Sequence, residues 1–251
     1  MNRNMTEIGS ASAPIDRQTE IAHRYMLGLY ELLERITSEF PHILFESCSG
    51  GGGRFDPGML YYMPQTWTSD DTDGVERLKI QYGTSIVYPV STMGAHISAV
   101  PNHQVERMTS LEFRGDVAMS GNFGYELDLT KFTETEKETA KKQIALYKEI
   151  RGLVQQGDLY RLLSPFEGNE TAWMFVSRDR EEALLFYFRV LAEPNGPLRY
   201  VKLEGLDPDK DYELIDRGEV YGGDRLMSAG LSVFSVRGDF SSTLIRLKAK
   251  K

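Results

Sequence analysis

Apolar positions keep one rhythm along the first part of this chain and change it after residue 157. Ile21, Tyr25, Leu29, Leu32, Leu33 and Ile36 recur at helical spacing, Asp16 is placed to cap that helix, and Pro41 follows its end near Ser38. Four short apolar runs come next, HILFES, LYYMPQTWTS, SIVYPVSTMGAHIS and DVAMSGNFGYEL, each of which reads as a strand. They deliver Cys48 with four glycines, then Trp67 and Asp70, then Met93 to His96, then Gly-Asn-Phe-Gly. Helices are predicted between them. Asp73–Glu76 and Thr133–Glu136 have capping-box spacing, and residues 102–111 form a further helical stretch. The helix after Thr133 carries Ala140, Ile144, Tyr147 and Val154 on one face and stops at Gly157.

From residue 158 the texture is that of an antiparallel β-domain. WMFVSRD, EALLFYFRVL, LRYVKLEGL, DYELID, GLSVFSV and STLIRLKA are strand-like, with turn residues such as Pro194-Asn195-Gly196-Pro197 between them. A boundary near Asp158–Phe166 divides the chain into residues 1–157 and residues 158–251. The first part alternates helix and strand and gathers its polar and glycine-rich motifs at C-terminal strand ends. That is the pattern of a (β/α) barrel, of which it supplies four strands where a closed barrel needs eight.

Composition narrows the function. A net charge of −8 and a pI near 5.2 argue against nucleic-acid or anionic-membrane partners, which want a basic face. No apolar run approaches the roughly 20 residues of a membrane span, and MNRNMTEIGSAS has no hydrophobic signal region. One cysteine forms no internal disulfide and suits a reducing cytoplasm. Four scattered histidines make no metal-ligand cluster.

The candidate chemistry lies in FESCSGGGGRFDPG and TWTSDDTD. Four successive glycines weaken any helix or strand and suit a backbone that passes close to a ligand. A phosphate loop is disfavoured, because the run ends Gly-Arg-Phe and not Gly-Lys-Ser/Thr. Asp70, Asp71 and Asp73 are either acid–base groups or the acidic start of a helix. Asp73 reads as the cap. Trp67 is either a sugar platform or a core residue. His96 and Asn122 read as structural, and LLFYFRVL as core.

ESCSGGGGRFD, PQTWTSDDTD, STMGAHIS and DVAMSGNFGYELDLT, in this order, closely resemble glycoside hydrolase family 36, the bacterial-type α-galactosidases. The resemblance implies the C-terminal half of a (β/α)8 barrel followed by an antiparallel β-sandwich. It implies retaining hydrolysis of terminal α-linked galactose in melibiose- and raffinose-type sugars, without metal or cofactor. It places the acid/base on Asp70 and substrate contacts on Asn2, Cys48, Ser49, Gly51, Arg54 and Trp67. The whole enzyme is expected to be a cytoplasmic homo-oligomer, up to a tetramer, whose partner is its galactoside substrate. The family's nucleophile lies in Lys-Trp-Asp-Met-Asn-Arg, and this chain opens Met1-Asn2-Arg3. The resemblance therefore implies a stretch that starts just after the nucleophile and is inactive alone. Three other readings stay open: an α-N-acetylgalactosaminidase-like relative, a non-catalytic carbohydrate-binding or vestigial protein, and a subunit complementing a separate first half.

Overall fold

The computed structural model describes residues 8–48, 50, 53, 55–196 and 198–250. They divide into two compact units, with the break in the chain order between Asp70 and Asp71. The expected boundary near residue 158 falls inside the second unit.

In the first unit a 3-10 turn, Ile15–Glu20, runs into helix α1, Ile21–Glu39. Asp16 therefore lies within the first turn and caps nothing. The turn starts after Pro14, and Arg17 holds Glu20 at 2.9 Å. Leu33 is the buried residue of α1, while Leu32, expected beside it, is exposed. HILFES is mostly not a strand. Ile43 and Leu44 are exposed, and pairing begins only at β1, Glu46–Ser47. LYYMPQTWTS is divided by Pro64. Its start closes helix α2, Pro57–Tyr62, and its middle forms β2, Gln65–Trp67. Asp56 starts α2 by accepting from the Met59 amide at 2.8 Å, with Pro57 in the first helical position where no amide is needed.

The second unit opens with α3, Gly74–Val87, capped by Asp73 as expected. SIVYPVSTMGAHIS thus begins as helix and becomes strand β3, Met93–Ser98, only after Pro89. The helix expected over residues 102–111 is instead a turn held by Asn102, whose side-chain oxygen accepts from the amides of Gln104 and Val105 at 2.9 and 3.2 Å. Helix α4, Leu111–Met119, starts behind the Ser110 cap, so Asp116–Met119 are helical and strand β4 is Asn122–Glu126. β3 and β4 are parallel, with His96 opposite Gly124. Helix α5, Glu134–Gln156, has the capping box expected at Thr133 and Glu136, and Gly157 as its C-cap. Arg77, fully buried on α3, reaches the Gly94 carbonyl of β3 at 3.2 Å, and burial pulls its pKa down to about 10.

Six antiparallel strands then form one sheet. They are β5 (Asp158–Leu163), β6 (Glu170–Val176), β7 (Glu182–Arg189), β9 (Asp211–Leu214), β10 (Glu219–Gly222) and β12 (Ser241–Ala249), in the order β10-β9-β12-β7-β6-β5. The short strands β8 (Tyr200–Val201) and β11 (Leu231–Ser232) pair with each other, and helix α6, Gly223–Ser228, follows β10. β6 and β7 are buried on both faces. Met174, Leu185 and Tyr187 point into a core with Leu203, Tyr212 and Leu226. Trp173, Phe175, Phe186 and Phe188 point the other way, onto Val75, Leu78, Phe113, Ile150 and Val154 of the helices. Two buried faces explain why LLFYF reads as one unbroken apolar run.

Candidate active site

β1 and β2 are parallel neighbours, with Glu46 opposite Gln65 and Ser47 opposite Thr66. Two side-chain contacts fix that register. The buried Thr66 hydroxyl donates to the Ser47 carbonyl at 3.1 Å, and the Gln65 amide donates to the Glu46 carboxylate. Both strands run the same way, so their C-terminal ends lie side by side. The residue after β1 is Cys48; three residues after β2 comes Asp70. The Cys48 Sγ lies 3.9 Å from the Asp70 Oδ1, a long thiol-to-carboxylate hydrogen bond. Cys48 is a half-buried free thiol and Asp70 is exposed. A carboxyl group beside a small soft side chain can hand a proton to a bound ligand's oxygen, and an exposed one can be reached by that ligand.

Trp67 sits on β2 and is buried, with 6% of its surface exposed. The glycine run starts at Gly50, whose φ of +68° lies in the left-handed region that side chains rarely adopt. A Cβ there would meet no described atom within 4 Å. The first glycine is thus required by its backbone angle and not by crowding. Ser49, Gly51, Arg54 and Asn2, all expected to contact substrate, lie outside the described residues. Past the glycines Phe55 leads to Asp56, which anchors the loop's far end. Besides capping α2, its carboxylate accepts from the Tyr30 hydroxyl of α1 at 3.3 Å. Gly58 belongs to the same junction, since a Cβ on it would fall 2.3 Å from the Tyr30 hydroxyl oxygen.

Tyr30, Asp56 and Gly58 were not singled out from the sequence. The Asp-Pro-Gly that follows the glycine run was the available signal, a cap and a helix start. Asp71 Oδ1 accepts from the Asp73 amide at 3.1 Å. Asp73, 2% exposed, accepts from the amides of Val75 and Glu76 at 3.1 Å and pairs with Arg107. Its carboxylate is consumed by helix capping and an ion pair. His96 Nδ1 lies 3.4 Å from Glu126 Oε2, and Asn122 donates to the Ser91 carbonyl at 2.7 Å while accepting from Gln155.

Comparison with known proteins gives this geometry its context. The melibiase family profile matches residues 1–157, and the profile of the glycosyl hydrolase family 36 C-terminal domain matches residues 170–247. The chain is 70% identical over 249 residues to alpha-galactosidase AgaA of Geobacillus stearothermophilus, covering 99% of this chain and 34% of that protein. It is 50% identical over 249 residues to alpha-galactosidase 1 of Pediococcus pentosaceus, again covering 99% of this chain and 34% of the relative. A crystal structure of a double variant of AgaA in complex with raffinose superposes with a TM-score of 0.96 at 69% identity, over 100% of this chain and 35% of that one. The alpha-galactosidase of Lactobacillus brevis gives the same TM-score at 48% identity, also covering 100% and 35%. The chain spans about a third of the length of the curated relatives it matches. With more than half of its residues inside one family profile, the chain belongs to the melibiase family, glycosyl hydrolase family 36.

Proposed function

We propose that these 251 residues carry the proton-donating half of the active site of a retaining α-galactosidase acting on raffinose- and melibiose-type sugars. The observation that carries the proposal is the meeting of Cys48 and Asp70 at the ends of two adjacent parallel strands, in a chain 70% identical to an alpha-galactosidase. In this reading β1 to β4 belong to an eight-stranded barrel, residues 1–157 are its second half, and residues 158–251 form a β-sandwich domain. The profile matches, over 1–157 and 170–247, support that division.

Retaining hydrolysis uses two carboxyl groups about 5–5.5 Å apart. Asp70 protonates the glycosidic oxygen as the bond to the anomeric carbon breaks, then takes a proton from the water that releases the sugar. The attacking carboxylate belongs to a Lys-Trp-Asp motif, which occurs nowhere in these 251 residues. The whole enzyme supplies it, so the 251-residue polypeptide alone should not turn over an aryl α-galactoside. Cys48 and the backbone of the glycine run border the sugar, Arg54 and Asn2 bond its hydroxyls, and Ser49, Gly51 and Trp67 complete the wall. A cytoplasmic homo-oligomer is part of the same proposal. No helix of the described residues is long and apolar enough to cross a membrane.

A chimera tests the proposal. This chain replaces the matching 249 residues of AgaA, and hydrolysis of raffinose and of an aryl α-galactoside with a good leaving group is measured. The chimera should cleave both. Asp70→Ala should lower raffinose cleavage by about 10²–10⁴-fold and the aryl substrate far less, because a good leaving group needs little protonation. Equal losses on the two substrates would remove Asp70 from the acid/base role.

A further inference from the structure

The antiparallel domain holds an open cleft of about 600 Å³, lined by residues between Leu163 and Arg237. None of its lining residues belongs to the candidate active site, which is drawn from Asn2 and residues 46–70. Its charges balance, with three guanidinium groups, Arg189, Arg199 and Arg237, against three carboxylates, Glu167, Glu170 and Glu193. A cleft for an anion or a cation would be one-sided in charge. The floor is a fixed network. Glu170 and Arg189, each 17% exposed, pair at 3.2 Å; Arg199 joins Glu170 at 2.8 Å; and Arg189 donates to the Val236 carbonyl at 2.6 Å.

The rim is different. Among the described residues the side chains of Asn169, Asn195 and Arg237 make no hydrogen bonds, so planar donors and acceptors face the cleft unspent. Beside them Phe234 is 52% exposed, with the Arg237 guanidinium 5.3 Å from its ring centre. A half-exposed aromatic ring next to planar polar groups, in a cleft whose charges balance overall and whose floor is fixed by ion pairs, matches the two-sided chemistry of a carbohydrate. Its C–H face packs on a ring and its hydroxyls both donate and accept. At 600 Å³ the cleft is in the size range of small-ligand sites and has room for more than one sugar ring.

We propose that this cleft is an accessory binding site for a neutral oligosaccharide, separate in its residues from the site that contains Asp70. Such a site would hold a substrate chain near the enzyme without taking part in hydrolysis.

The test is calorimetric titration of the 251-residue chain with raffinose, and with sodium sulfate as an anionic probe. Weak saturable raffinose binding is expected. Phe234→Ala should weaken it at least about fivefold, the effect of losing one ring contact. Asn169→Ala should weaken it as well, by loss of polar contacts at a site where the fold does not depend on that side chain. Asp70→Ala should leave it unchanged. Absence of raffinose binding, or binding that falls with Asp70→Ala and not with Phe234→Ala, would overturn the proposal. So would sulfate displacing raffinose. In the AgaA chimera, Phe234→Ala should leave cleavage of the aryl α-galactoside unchanged. A loss there equal to that of Asp70→Ala would also count against an accessory role.

Discussion

At the scale of single residues, backbone angle and side-chain chemistry set separate demands on the loop after β1. Gly50 has a left-handed φ and open space around its missing side chain. Gly50→Ala should therefore cost about 1–2 kcal/mol of conformational strain without a clash. Gly50→Asn should cost less, since asparagine visits that region more readily. Thermal melting of the two variants checks the order, and equal losses would point to a contact and not to strain. Gly58 presents the opposite case. Its φ is ordinary, but a Cβ would strike the Tyr30 hydroxyl that also bonds Asp56. FESCSGGGGRFDPG stands out in the sequence by its glycine run. What was not legible is that its glycines answer to different constraints, because a φ angle and a tyrosine far upstream on α1 leave no local mark.

At the scale of elements, the reliable signals were those with a local mechanism. Thr133 and Glu136 form the reciprocal cap their spacing predicts, with Thr133 accepting from the Glu136 amide at 3.2 Å and Glu136 accepting from the Thr133 amide at 2.9 Å. Asp73 caps α3 in one direction only: it accepts from the Val75 and Glu76 amides, while its own amide donates to Asp71 and not to Glu76. The misread segments share one cause. LYYMPQTWTS, SIVYPVSTMGAHIS and DVAMSGNFGYEL each join the end of a helix to the start of a strand, and an apolar run carries no period that separates the two. In the first two the proline, Pro64 or Pro89, marked the division. α4 also carries a charge that sets a pH dependence. Asp116, partly buried, accepts from the Ser242 hydroxyl at 2.7 Å, and burial pushes its pKa up to about 6 from 3.8. The folded state therefore holds this proton more tightly than the unfolded chain does. The stabilisation is complete below pH ~4 and is lost as pH rises through ~6. Asp116→Asn keeps an acceptor for Ser242 and removes the charge. It should raise the melting temperature at pH 7, by a stability gain on the order of 1–3 kcal/mol, and change little at pH 4. A variant no more stable at pH 7 than at pH 4, relative to the parent, would show that Asp116 ionises freely in the fold.

At the scale of the whole molecule, the change of texture at residue 158 was plain in the sequence, yet packing does not follow it. β6 and β7 alternate strictly between two cores. One is shared with β9, β12 and α6, and the other with α3, α4 and α5. No periodicity in a single segment shows that an aromatic strand will be covered by helices from a different part of the chain, so this joint had to be seen in three dimensions. It has a consequence for cooperativity. Leu185 is fully buried on the face turned away from the helices, and Leu185→Ala should cost about 2–5 kcal/mol. Were residues 71–157 and 158–250 independent, that loss would stay within the strands. Because Phe186 and Phe188, on the same strand, share a core with Ile150 and Phe113, the helices lose the cover of Trp173, Phe175, Leu184, Phe186 and Phe188 when the sheet opens. Amide hydrogen exchange should then show Ile150 and Val154 of α5 losing protection by the same amount as Leu214 of β9 in the Leu185→Ala variant. Unchanged protection in α5 would mean that the sheet can unfold without the helices, and that the two cores are energetically separate in spite of the strands they share.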